Sequence, residues 1–337
     1  MAAEGIRFER FYAGAPVCSP TRGSAITGRH PFRYGIVNAN KGKMEAEEIT
    51  LAEVLKEEGY TTGHFGKWHM GTLTTTMKDS NRGDVGKTEH YSPPWENGFD
   101  ACCSTEAKVP TWDPIYMPTV FEEGESKKTG WEHLKPSEAT KPFGTHYWTG
   151  PEAQVTENLS GDDSRVIMDR ALPFIEGAVA EDKPFFAVIW FHAPHLPVVA
   201  GPDHAEMYKE FPLHTRNFYG CISAVDDQMG RLRQTLKDLE VDQQTMLWFC
   251  SDNGPEGGSH YPGTTNQLRG RKRSLYEGGV RVPGLVVWPE KIKASRKVAM
   301  PCTTNPKTSV LFGAGMSCGW RFCEGGNSVG RAGGRLG

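Results

Sequence analysis

The sequence lacks any run of about 18 apolar residues, so no transmembrane helix is expected. Its first residues, MAAEGIRFERF, hold no apolar stretch of signal-peptide length. Neither charge sign is in excess: 38 Lys and Arg stand against 41 Asp and Glu, for a formal charge of −3. That balance leaves no basic footprint for nucleic acid and no acidic tail. Cysteine is sparse, eight in 337 residues, with no CxxC pair, which excludes zinc-ribbon spacing and a disulfide scaffold. No internal repeat is visible, and the length suits one large α/β domain or two medium ones.

What is present alternates between strand and helix patterns. SPTRGSAITG reads as a short helix with Pro20 in its first turn and Gly28 past its end. TLAEVLKEEG has apolar residues at helical spacing, with Thr50 as cap, Glu53 three residues on, and Gly59 as stop. YTTGHFGKWH is β-like, and DDSRVIMDRALPFIEGAVA and NFYGCISAVDDQMGRLRQTLKDLEV are amphipathic helices. KPFFAVIWFHAPH, TMLWFCSDNG and VRVPGLVVWP read as buried strands, the first two with polar ends. The alternation predicts an α/β fold with a mostly parallel central sheet flanked by helices. Residues 87–151, rich in Pro, Gly and aromatics, read as a loop-rich insertion. Residues 302–337 read as a separate tail. From Gly313 the chain holds nine glycines in 25 residues without periodicity, so that stretch is expected not to pack.

Several clusters could carry chemistry. Cys18 opens the first helix, where free N–H groups and the dipole favour an anion and lower a thiol pKa. A thiolate phosphatase loop is excluded, because Arg22 follows Cys18 too closely and Pro20 removes an amide. Taken alone, Cys18 reads better as an ordinary buried thiol. GKWH places Lys67 and His69 two apart, on one side of an extended segment. HAPHLP offers His192 and His195, and SDNG offers Asp252 and Asn253, each at the end of a buried strand. In open α/β sheets such strand ends line the ligand crevice. Asp and Asn suit a hard cation, while Lys, Arg and His suit a multiply oxygenated anion. Each cluster also has a plain reading: SDNG as an Asx-turn, the histidines as loop residues, and Lys272 in RGRKRS as part of a solvated basic face.

Together, CSPTR, TGRHP, GKWHMG, HAPHLP, SDNG and RGRKRSLYEGGVRVP, in this order, resemble the type I sulfatases of the alkaline-phosphatase-like superfamily. The similarity covers residues 1–301, a sulfatase catalytic domain. It implies that Cys18 is oxidised to formylglycine by a separate generating enzyme, giving an activated oxygen nucleophile. Arg22 then holds that nucleophile. Asp252, Asn253 and the modified Cys18 ligate Ca²⁺, with Mg²⁺ as the alternative. Lys67 and Lys272 grip sulfate oxygens, His69 takes a proton from the nucleophile, and His195 serves the leaving oxygen as general acid. His192 has no match and is kept structural.

The resemblance also implies two further metal ligands, an Asp-Asp pair on a first strand. MAAEGIRF resembles the segment after that pair, so the chain is expected to be N-terminally truncated, with the C-terminal antiparallel subdomain largely missing. The implied substrate is a small-molecule or glycan sulfate ester. Trp95, Trp112, Trp131, Trp148, Tyr116 and Tyr147 either face a sulfated sugar or pack the insertion. The implied compartment is secreted, periplasmic or lysosomal. Two rival readings remain: a phosphatase or phosphodiesterase of the same superfamily, and a non-catalytic remnant.

Overall fold

The computed structural model describes residues 1–120, 130–132, 140–258, 260–304 and 314–315. In chain order its elements are β1 (Ile6–Tyr12), α1 (Cys18–Thr27), α2 (Pro31–Tyr34), α3 (Leu51–Glu57), β2 (Thr61–Lys67) and β3 (Ala101–Thr105). Short pairs follow, β4 (Thr119–Val120), β5 (Trp131–Glu132), β6 (Trp148–Gly150) and β7 (Ala153–Gln154). Next come α4 (Asp163–Ala180), β8 (Phe185–Trp190), α5 (Pro202–Glu206), α6 (Leu213–Asp238) and β9 (Leu247–Cys250). The remainder is α7 (Glu277–Val280), β10 (Arg281–Val287), β11 (Arg296–Val298), β12 (Cys302–Thr303) and β13 (Ala314–Gly315).

Local signals set the helix ends. Gly28 takes φ +66° and closes α1 through its N–H to Ser24 O, the left-handed cap that glycine adopts without a Cβ penalty. Thr50 and Glu53 form the reciprocal capping box of α3. Asp162 caps α4 by accepting from Arg165 N. Helix α6 buries Asn217, Gly220, Cys221, Ala224, Gln228, Leu232 and Leu236, a stripe at three- and four-residue steps.

The fold is α/β, as expected, but the sheet is divided. In one part β2 lies parallel between β8 (Thr61 opposite Phe185, Gly66 opposite Trp190) and β3 (Gly63 opposite Ala101, Lys67 opposite Thr105). In the other, β10 is antiparallel to both β1 and β9, while β11 and β12 run parallel to β1. Thus β9 and β10, anticipated as members of one mostly parallel sheet, are an antiparallel pair. An apolar strand looks the same in either direction, and the partner is chosen by distant residues. Between the two parts lies a cavity of about 1260 Å³, walled by Phe185, Ala187 and Ile189 of β8, Leu247 and Phe249 of β9, and Leu232 of α6.

Two expected boundaries are corrected. The stretch 87–151 contains β3, a central parallel strand whose Cys102–Thr105 side chains are all buried. Its flanking prolines and glycines hide five strand residues in a loop-like composition. The tail also begins later than residue 302. Cys302 and Thr303 pair with Phe11 and Tyr12, Cys302 is buried, and Thr304 Oγ1 accepts from Gly14 N. Beyond it, Ala314 and Gly315 pair antiparallel with Phe186 and Phe185, although no packing was expected after Gly313. The rest of that tail lies outside the described residues. No helix among the described residues is long and apolar enough to cross a membrane.

Candidate active site

Cys18 is the first residue of α1 and is 2% exposed. One turn later Arg22 points its guanidinium across the gap between the two sheet parts. Nη1 donates to Lys67 O at 2.8 Å and Nη2 donates to Asp252 Oδ2 at 2.8 Å. The same guanidinium lies 4.9 Å from the Trp190 ring centroid, a favourable cation–π placement. Lys67 is the last residue of β2 and is buried. Gly66 before it has φ +99°, and a Cβ there would lie 2.1 Å from Trp190 O, so only glycine lets β2 approach β8 here. The same cavity is lined by Arg22, Lys67, His195, Asp252, Asn253 and Lys272. The Cys18 and Lys67 charges act on one another, as do those of His69 and Lys67. The eight predicted residues therefore come to one place.

One geometric premise is corrected. Lys67 and His69 were expected to share a side through strand alternation, but β2 stops at Lys67 and His69 has φ +64°. A tight turn, not a pleat, delivers the imidazole.

Electrostatics follow from burial among cations. Burial first, then Lys67, Arg22, Arg82 and His195, hold the His69 pKa well below the usual histidine value. His195 is depressed for the same reason: burial, then Lys67 and Lys272, with Lys108 adding to them. Its Nδ1 donates to Leu196 O at 2.8 Å, which leaves Nε2 as a lone pair in the neutral ring. Burial lowers Lys67, partly offset by the Cys18 charge. For Asp252 burial acts upward, but Arg22, Lys67 and Lys272 outweigh it and keep the carboxyl ionised.

Glu256, Asn40 and Lys108 were not anticipated. Each meets the site through contacts distant in sequence, and no local pattern marks them. Glu256 Oε2 accepts from Lys272 Nζ at 2.9 Å, and its other oxygen pairs with Arg273. Burial acts upward on Glu256, but Arg273 and Lys272 bring its pKa down to about 2. A depressed carboxylate stabilises the fold above its unfolded pKa, and the contribution disappears as pH falls through the folded one. Glu256→Gln is therefore expected to be less stable than the parent at pH 7. The difference should shrink between about pH 4.5 and pH 2, as read by urea unfolding at stepped pH.

His192, read as structural, is buried 2.8 Å from both Asp163 Oδ2 and Thr105 Oγ1, and its carbonyl accepts from His195 N. It fastens the end of β8 to β3. Of the aromatic set, Tyr147 and Trp148 are buried in the core, Trp95 is partly buried against it, Trp112 and Trp131 are half-buried, and Tyr116 is exposed.

The donor set for a hard cation is incomplete among the described residues. Asn253 Oδ1 is buried without a partner and Asp252 supplies a carboxylate. Among the described residues no group of three or more His, Cys, Asp or Glu is placed to hold a metal ion, and Ca²⁺ takes six to eight oxygens. Besides Asn253 Oδ1, the buried atoms Arg22 Nε, His69 Nδ1 and Ser19 Oγ have no partner. Unsatisfied buried polar atoms are uncommon, and each calls for an explanation such as an ordered water, a catalytic role or a ligand.

Residues 1–309 match the family model for sulfatases. Human arylsulfatase A is 30% identical over 322 residues, covering 93% of this chain and 58% of that protein. Dog N-acetylgalactosamine-6-sulfatase is 29% identical over 317 residues, covering 88% and 52%. The chain thus spans just over half the length of these relatives. Among solved structures, Ps i-CgsB in complex with k-i-k-neocarrahexaose superposes with a TM-score of 0.69 at 24% identity, covering 91% of this chain and 63% of that one. The cysteine at the helix start, the cationic strand ends and the SDNG turn fall within the matched span, and the chain belongs to the sulfatase family.

Proposed function

We propose that the protein hydrolyses sulfate esters at position 18, and that its substrate is a sulfated carbohydrate. The observation that carries this reading is the enclosure of Cys18, at a helix N-terminus, by Arg22 and Lys67 with Lys272 beside them. Three cationic side chains suit the equatorial oxygens of a sulfuryl group, whose charge grows as the ester bond breaks. The relatives' names, one for aryl and one for amino-sugar sulfates, support the ester class.

Within this reading Arg22 orients the nucleophile and balances its charge, while Lys67 and Lys272 hold the sulfuryl oxygens. Glu256 keeps Lys272 in place until the anion arrives. His69, neutral and with a free Nδ1, accepts the nucleophile's proton. His195 is neutral in the free protein, so it must first gain a proton to act as the general acid. A bound sulfate ester favours that proton by adding negative charge beside Nε2. Conversion of Cys18 to formylglycine by its generating enzyme would supply a hydrated aldehyde oxygen as nucleophile, and Ca²⁺ or Mg²⁺ on Asp252 and Asn253 would polarise the ester. Export to a secreted, periplasmic or lysosomal compartment belongs to the same reading.

The test is turnover by the full-length protein co-produced with a formylglycine-generating enzyme. Sulfate release from 4-nitrophenyl sulfate and from a 6-sulfated galactoside is expected, without phosphate release from 4-nitrophenyl phosphate. Preferential phosphate release would place the protein among phosphatases of the superfamily. Binding of a sulfated oligosaccharide without release would make it a non-catalytic remnant.

A further inference from the structure

His69 Nε2 lies 2.5 Å from Asn40 Oδ1, and Asn81 Nδ2 donates to that same oxygen at 3.0 Å. An amide oxygen only accepts, so Nε2 carries the ring hydrogen and Nδ1 is left as a lone pair. The surroundings select this arrangement over its mirror, in which the amide is turned and donates to Nε2. That alternative puts an N–H on Nδ1, a buried atom with no acceptor, among Lys67, Arg22 and Arg82. A lone pair is favoured by those cations, and a hydrogen is not.

Asn40 is itself held in place. It takes φ +61° in the loop after α2. That loop is tied to the His69 turn by Met44 N donating to Met70 O at 2.7 Å. Arg82 Nη1 donates to Gly42 O at 2.5 Å, while its Nε donates to the fully buried Glu106 at 2.8 Å. Glu106 also accepts from the Arg82 and Gly83 amides. A buried ion pair therefore fixes the loop that carries the amide.

We propose that Asn40 is a positioning residue that sets the tautomer of His69, protonated at Nε2 and bare at Nδ1, with Asn81 and the Arg82–Glu106 pair as its anchors. The use of that bare nitrogen as a base rests on the sulfate-ester reading above, whereas the tautomer itself does not.

The experiment is histidine ring ¹⁵N NMR on the full-length protein and on Asn40→Ala and Asn40→Asp, with steady-state turnover of 4-nitrophenyl sulfate measured alongside. In the parent, His69 is expected to show Nε2 protonated and Nδ1 bare. Asn40→Ala should give a mixture of tautomers, with kcat falling in proportion to the fraction bare at Nδ1, about 2- to 10-fold, and KM little changed. Asn40→Asp should retain the tautomer, since a carboxylate also accepts from Nε2–H. It should also move the acidic limb of the kcat profile to higher pH by about 1 unit, because a negative charge stabilises the imidazolium against Lys67, Arg22, Arg82 and His195. A parent ring protonated at Nδ1, or an unchanged single tautomer in Asn40→Ala, overturns the proposal. If the tautomers behave as stated while no variant or parent releases sulfate, the proposal stands and the sulfate-ester reading fails.

Discussion

Arg22→Ala is expected to abolish turnover and to lower stability by about 2–3 kcal/mol. The guanidinium satisfies Lys67 O and Asp252 Oδ2 at once and stacks near Trp190. Its removal leaves a carboxylate beside buried apolar surface and a carbonyl without its donor. Loss of one partner of a fully buried pair costs about 3–5 kcal/mol. The Asp252 side chain is 26% exposed, so water recovers part of that amount. Arg22→Lys should recover little, because one ammonium cannot span two acceptors in the planar fork arrangement. Chemical denaturation gives the stability difference, and aryl sulfate turnover gives the activity. Normal turnover by a folded Arg22→Ala protein would remove Arg22 from the proposed machinery.

Cys18→Ala, by contrast, should separate activity from folding. The thiol makes no hydrogen bond to a described residue and is buried at a helix start, so its loss leaves a small cavity costing about 1 kcal/mol. Turnover should nevertheless fall by about 10⁴-fold or more, the scale on which loss of a nucleophile is felt. Inorganic sulfate should still bind, because Arg22, Lys67 and Lys272 remain. Calorimetric titration with sulfate and a turnover assay on the same sample decide the matter. Residual activity within tenfold of the parent would move the nucleophile elsewhere.

Features legible in the sequence are those encoded within a few residues. The Thr50–Glu53 box and the Gly28 stop need only neighbours, and each occurs where expected. The polar ends of β8 and β9 announce His195, Asp252 and Asn253, because a strand that is apolar until its last residues has to end at a surface or a site. Other features depend on residues far apart in the chain. The pairing of β9 with β10, the contact of Asn40 with His69 across 29 positions and the grip of Glu256 on Lys272 leave no periodic trace. The five residues of β3 are too few to outweigh the prolines around them, and Tyr147 and Trp148 pack inward despite a polar neighbourhood.

The space between β8 and β9 carries a consequence of its own. Its walls are apolar at Phe185, Ile189, Leu232 and Leu247 and charged at Arg22, Lys67, Asp252 and Lys272. Hydrostatic pressure favours whichever state occupies the smaller total volume, and unfolding eliminates poorly filled space. The apolar part of that space offers water few partners, so pressure should act there first. Squeezing it should bring β8 and β9 together before it disturbs the helices outside.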